Sequence, residues 1–296
     1  DRYLNGLAQL FLGKINLEMN NKKDKPEEIR ARLENLVRST VQVANQMTVN
    51  HPQDSSSWSN AGFVYENLIG VTEGADQAAL LAYQEYLKRA PQDPGIYIRL
   101  GSIYLKRADA NNAALANARR NRQKVENEQK VIDLIKDDYA KAGDSFKKAV
   151  ELKRDLASAL YNLGVVYERQ AELKNAVKQL ELTRLLDQNN PGLAFELGLL
   201  YYRNGQKDNA LTEMARAVSL SSNYANARWY LALFLEERGR SDLAIGQLKE
   251  ILKIDVNKDN KIVLDKLAAL EAGKREFPPG KVTNRSPLEE PVKKSR

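Results

Sequence analysis

Two adjacent stretches of this chain, residues 157–190 and 191–224, are each 34 residues long and carry the same residue types at the same places. Leu163 and Gly164 return as Leu197 and Gly198, Tyr167 as Tyr201, and Ala176 as Ala210. A fixed period of this length belongs to stacked-repeat architectures, in which each unit buries its apolar face only against its neighbours. It therefore constrains the fold more tightly than any local propensity does.

Extended outward, the frame asks for a bulky residue at position 4, Leu at 7 and a small residue at 8. It then asks for an aromatic at 11, a small residue at 20, a bulky one at 24 and often Ala at 27. Residues 55–93 fit with Trp58, Ala61, Gly62, Tyr65, Ala79, Tyr83 and Pro91, and carry five extra residues. Residues 94–156 fit with Tyr97, Leu100, Gly101, Tyr104, Ala142, Phe146 and Ala149, and carry 29 extra. Residues 225–258 fit with Leu231, Ala232, Ala244 and Leu248; residues 1–54 fit more loosely with Leu4, Leu7, Ala8, Phe11, Thr40 and Pro52. Glycine inside a helix costs about 1 kcal/mol against alanine. Its recurrence at 62, 101, 164 and 198 implies a close approach, expected against the small residues Ala79, Ala142, Ala176 and Ala210 on the second helix.

These residues resemble the tetratricopeptide repeat, over residues 1–273. The resemblance implies an all-α fold, a right-handed α-solenoid of about six helix pairs. The expected units are 1–54 (degenerate, with elongated helices), 55–93, 94–156, 157–190, 191–224 and 225–258. A capping helix is expected over 259–273, where KIVLDKLAAL is amphipathic and Gly273 is a fitting stop. Residues 274–296 hold four of the nine prolines and are expected to be a flexible tail.

The third unit departs most from the family. No Pro or Gly lies between Ser102 and Ala142, and apolar or small residues step by three and four through Tyr104, Ala108, Leu115 and Ala118, then Ile132, Ile135, Tyr139 and Ala142. That is the seam of a two-helix coiled coil. An antiparallel hairpin insertion over about residues 108–136 is expected, projecting by about 20 Å. Its tip carries Arg119, Arg120, Arg122 and Lys124. The tip reads either as a solvated elbow or as a positive docking point for an acidic partner.

No catalytic constellation is visible. The single histidine, His51, precedes Pro52 in a turn between units, and no nucleophile–base arrangement or phosphate loop occurs. The expectation is a non-enzyme with no cofactor. Asp255, Asn257 and Asp259 have the 1, 3, 5 spacing of a calcium loop, but Lys266 stands where the bidentate acid belongs. No metal is expected. There is no cysteine, so no disulfide or thiolate chemistry. The net charge of +7 is spread among interspersed acids and bases with no reader motif, which disfavours nucleic acid. No apolar run is long enough to span a bilayer. The chain begins at Asp1 rather than Met, which reads as a processed form or a piece of a longer protein.

In the resembled family the first helix of each pair lines the concave side, with positions 2, 5, 9, 12 and 13 facing the groove. The resemblance thus implies a groove built from Tyr161, Val165, Glu168 and Arg169, then Phe195, Leu199, Tyr202 and Arg203, then Trp229, Leu233, Glu236 and Glu237. Either these aromatics form an open binding floor, or they pack on the neighbouring second helix. Relatives that grip a terminal carboxylate use Lys at 5 and Asn at 9, where this chain has Ser59 and Phe63, then Ile98 and Ser102. The expected partner is a protein or peptide segment, or further copies of the chain in an oligomer or filament. A second resemblance, carried by the opening DRYLNGLAQLFLGKIN and the Pro-rich end, is to soluble C-terminal repeat regions of bacterial O-antigen ligase or polymerase-like membrane proteins. It implies an accessory, glycan-associated domain and a cell-envelope setting, with a cytoplasmic setting as the alternative.

Overall fold

A computed structural model describes residues 2–274 and 288. The described residues form thirteen α-helices and no strand. The chain divides into two compact units, residues 1–159 and 160–296. Within the units, helices that follow one another in sequence pack side by side, from the first to the sixth and from the eighth to the thirteenth.

The first unit contains α1 (Arg2–Met19), α2 (Pro26–Asn50), α3 (Ser55–Asn67), α4 (Ala75–Arg89), α5 (Pro94–Arg120) and α6 (Glu128–Leu152). Helix starts follow local chemistry. Pro26 opens α2 at a position where its missing N–H costs nothing, with Glu27 and Glu28 in the positive first turn. The Asp93 carboxylate accepts from Gly95 N–H at 2.8 Å and caps α5, with Pro94 as its first residue. Ala8, Ile15, Val43, Ala44 and Met47 join Ala61, Val64 and Leu68 in a common apolar core.

In α5 and α6, 27 and 25 residues long, the stepped seam is buried: Leu100, Tyr104, Ala108 and Leu115 on one helix, Ile135, Tyr139, Ala142 and Phe146 on the other. A charged residue sits in this seam as well. Asp138 is fully buried, and the Arg107 guanidinium donates to it from Nε at 2.8 Å and to Asp76 at 3.2 Å. The hydrogen bonds that Arg107 donates to Asp138, ahead of the opposing cost of burial, raise the Arg107 pKa.

The second unit takes in α7 (Ala157–Arg169), inside which the division falls. It continues with α8 (Leu173–Leu186), α9 (Pro191–Arg203), α10 (Lys207–Leu220), α11 (Ala225–Glu237), α12 (Ser241–Leu252) and α13 (Lys261–Glu271). Asn190 caps α9 by accepting from Leu193 N–H at 3.0 Å, so the Asn–Pro run is a helix start as well as a turn. Three turns share one geometry. The backbone N–H groups of Glu172, Gln206 and Arg240 each reach five residues back at 2.8 Å, to Tyr167, Tyr201 and Leu235. The residue before each has positive φ: Ala171 at 61°, Gly205 at 81° and Gly239 at 73°.

The helix-A glycines work differently from the small-against-small contact expected. A Cβ on Gly101 would lie 2.7 Å from the Phe146 ring, and one on Gly62 would lie 2.5 Å from the Tyr83 ring. At Gly198 it would meet the Met214 methyl at 2.9 Å, and at Gly164 it would meet Leu180. The missing side chain therefore makes room for the bulky residue four positions after the alanine. The alanine contributes its carbonyl, 3.4 Å away at Ala176 and at Ala210. The large residue fills the space within its own pair, because a close-packed interior leaves no void there.

Asp255–Asn257 form a short 3₁₀ turn, Asn257 is buried, and Asn260 caps α13 by accepting from Ile262 N–H at 3.1 Å. The calcium-like string is a turn and a cap. The Pro-rich tail expected from residue 274 lies, apart from Lys274 and Leu288, outside the described residues.

Candidate functional site

The site lies on the first helices of the second unit's pairs. Because α7, α9 and α11 share one register, positions 5 and 9 fall on one face of each. Between α7 and α9 an open cavity of ≈ 440 Å³ has Tyr161, Val165, Glu168, Arg169, Leu180, Phe195, Glu196, Leu199 and Tyr224 among its lining residues. Six of the twelve expected groove residues thus meet around one space. The other six, Tyr202, Arg203, Trp229, Leu233, Glu236 and Glu237, lie outside it.

The aromatics divide between core and partly open positions. Phe195 and Leu199 are 6% and 3% exposed and belong to the core. Phe195 lies 5.1 Å from the Tyr224 ring and 5.6 Å from the Tyr230 ring. Tyr202 is stacked on Phe234 at 4.5 Å, with planes 2° apart, and Lys207 lies 5.7 Å over its ring. Tyr161, Tyr202, Trp229 and Leu233 are half-buried against the core, and Val165 is half-buried beside the cavity. The floor is therefore a packed layer with partly open faces, not a row of free side chains.

The charged rim is paired along the helices. Glu168 takes an ion pair from Arg203 and a longer one, 3.6 Å, from Arg169. Lys207 meets Glu237 at 2.5 Å, and Lys266 meets the buried Glu236 at 2.7 Å. Burial raises the pKa of the Glu196 carboxyl at the cavity. Burial, then the neighbouring Glu196, raises the Tyr161 phenol. Burial, then Glu237, pushes the Tyr202 phenol up to about 12. Among the described residues, no three His, Cys, Asp or Glu side chains converge as a metal site would require.

At the hairpin tip, Arg120, Arg122 and Lys124 are exposed. Arg119 donates from Nε to Glu128 at 3.0 Å, which removes one of the four expected positive charges from the docking patch. Position 2, groove-facing in the resembled family, is occupied on α11 by Asn226, whose side chain pairs with the main chain of Leu288.

Residues 195–256 match the family model for the tetratricopeptide repeat. The fold is of the tetratricopeptide type. No curated protein matches the sequence of the chain. Among solved structures it is similar to YrrB, described as a tetratricopeptide-repeat protein with an unusual peptide-binding site. The TM-score is 0.54 at 18% identity, over 76% of this chain and 98% of that one. It is similar to PilF of Pseudomonas aeruginosa, with a TM-score of 0.51 at 15% identity, over 91% and 98%. It is also similar to a MamA protein, with a TM-score of 0.50 at 23% identity, over 68% and 94%. These likenesses establish the fold. No described helix is long and apolar enough to cross a membrane.

Proposed function

We propose that this chain is a non-catalytic interaction scaffold. In this reading the first-helix face of its second unit binds a protein segment. The observation that carries the reading is the ≈ 440 Å³ cavity between α7 and α9, floored by aromatic and aliphatic side chains and rimmed by paired charges. A concave, mostly apolar space with a few fixed polar groups is the usual form of a binding site. The fold it shares with YrrB, whose peptide-binding site is part of that protein's description, supports a peptide as the ligand class. The test replaces Val165 and Leu233 with Glu, since both are half-buried on that face. Partner capture should fall at least ten-fold, the loss of about 1.4 kcal/mol, with far-UV helicity unchanged. Unchanged capture would contradict the reading.

A second reading, self-association, has its own observation. Tyr3, Leu10 and Leu17 recur every seven residues on α1 and are 77%, 53% and 74% exposed. A heptad stripe of this kind suits another helix. Light scattering of a Leu10→Glu variant against the unsubstituted chain tests it. A monomer in both cases removes it. The accessory, glycan-associated reading rests on the sequence resemblance alone.

A further inference from the structure

Asn226, the second residue of α11, is fully buried. Its side-chain amide makes two hydrogen bonds with the main chain of a single residue 62 positions away. The Nδ2–H donates to the Leu288 carbonyl at 2.9 Å, and the Leu288 backbone N–H donates to Oδ1 at 3.0 Å. A primary amide presents a donor and an acceptor side by side, as the edge of a strand does. The pairing therefore reads main chain and accepts any residue with a backbone N–H. What selects the residue is its side chain. Leu288 is 5% exposed and belongs to the same apolar cluster as Phe195, Leu199 and Tyr230.

Leu288 lies in the run Ser286–Pro287–Leu288–Glu289–Glu290–Pro291. The prolines at 287 and 291 supply no N–H and disfavour helix, so the sequence leaves the Leu288 main chain to pair outside its own run. Asn226 in turn sits one helical turn before Trp229 and two before Leu233, on the face that the repeat register assigns to the groove.

We propose that the second unit's groove takes an extended segment bearing an aliphatic side chain, with Asn226 clamping its main chain, and that this chain's own Leu288 is the resident occupant. An external segment then binds only by displacing it. The proposal rests on the groove reading above and adds its ligand class and its control. A tethered occupant has an effective concentration in the millimolar range. The apparent affinity for a partner falls by the fraction of molecules in which the groove is free.

The test uses the full chain, its Asn226→Ala and Leu288→Asp variants, and a labelled synthetic peptide of residues 284–294. Hydrogen exchange at the Leu288 amide should be slow in the unsubstituted chain and fast in Asn226→Ala. By fluorescence anisotropy, Leu288→Asp should bind the peptide about ten-fold more tightly than the unsubstituted chain. Adding Asn226→Ala to Leu288→Asp should remove that binding, with helicity by circular dichroism intact in all variants. Free-peptide exchange at Leu288 in the unsubstituted chain would overturn the self-occupancy and leave the groove reading standing. A Leu288→Asp chain that captures no peptide would overturn the groove reading itself. A dimer that Leu288→Asp turns into a monomer would assign the occupant to a second copy and overturn the intramolecular form.

Discussion

The α5–α6 hairpin and the short pairs of the second unit use the same packing device for opposite ends. In both, a helix-A glycine lies under a bulky helix-B residue, Phe146 over Gly101 in one and Leu180 and Met214 over Gly164 and Gly198 in the other. In the hairpin the device continues into a long seam that two helices close between themselves, locked by Arg107 and the buried Asp138. In the second unit the helices of the α7–α8 and α9–α10 pairs stop after 13 or 14 residues, and the faces of α7 and α9 border a cavity. The difference teaches that the repeat sets how a pair closes. What is inserted or left out decides whether the two helices close a long seam between themselves or leave a first-helix face bordering a cavity.

The largest effect should come from the hairpin lock. Arg107→Ala leaves Asp138 buried without its main cation, and should cost about 3–5 kcal/mol. A urea melt reads this as a lower midpoint, and an unchanged midpoint would show that the lock adds nothing to the seam. Next come the glycines. Gly101→Ala drives a methyl into a fully buried aromatic ring and should cost about 1–3 kcal/mol. Gly164→Ala meets the flexible end of Leu180 and gains helix propensity, so it should cost less than about 1 kcal/mol. Equal losses would mean that the device does not depend on the residue above it. Smaller again, and of opposite sign, is Ala171→Gly. Ala171 holds φ 61° where the next two units have glycine, and the change should stabilise by about 1 kcal/mol.

The smallest effect is a pH slope. Tyr86 donates to Asp93 at 2.7 Å, and that bond, ahead of burial, pushes its phenol from 10.0 up to about 12. Tyr202 is raised to the same value, mainly by burial. Each folded phenol holds its proton longer than the unfolded one. The stabilisation is complete below pH 10, and is lost as pH rises towards about 12. Tyr86→Phe and Tyr202→Phe should each flatten the alkaline fall in stability by about one proton's worth.

Much of the fold was legible because it is written in spacing. The helix pairs follow from the return of Leu163–Gly164 as Leu197–Gly198, and the hairpin follows from a seam stepping by three and four without Pro or Gly. The packing partner of the glycines was not legible, since a period shows which positions recur but not which of them touch. Nothing in the sequence sets Asp138 apart, because its counterion is 31 residues away. At the candidate site the register picked out Tyr161, Val165 and Arg169 at the cavity, but it could not tell an open aromatic from the buried Phe195. In the sequence Asn226 is one polar residue among many. Its meaning appears only when the chain returns to it at Leu288.

The comparison is tested most directly by placing a photo-crosslinking residue once at Trp229, on the second unit's proposed binding face, and once at Arg122, at the exposed hairpin turn. A partner segment obtained by peptide selection against the full chain is then irradiated with each variant. The account predicts a crosslink from position 229, lost when Val165 and Leu233 are replaced by Glu, and none from position 122. A crosslink from position 122 alone would make the hairpin the binding element and contradict the assignment of the groove.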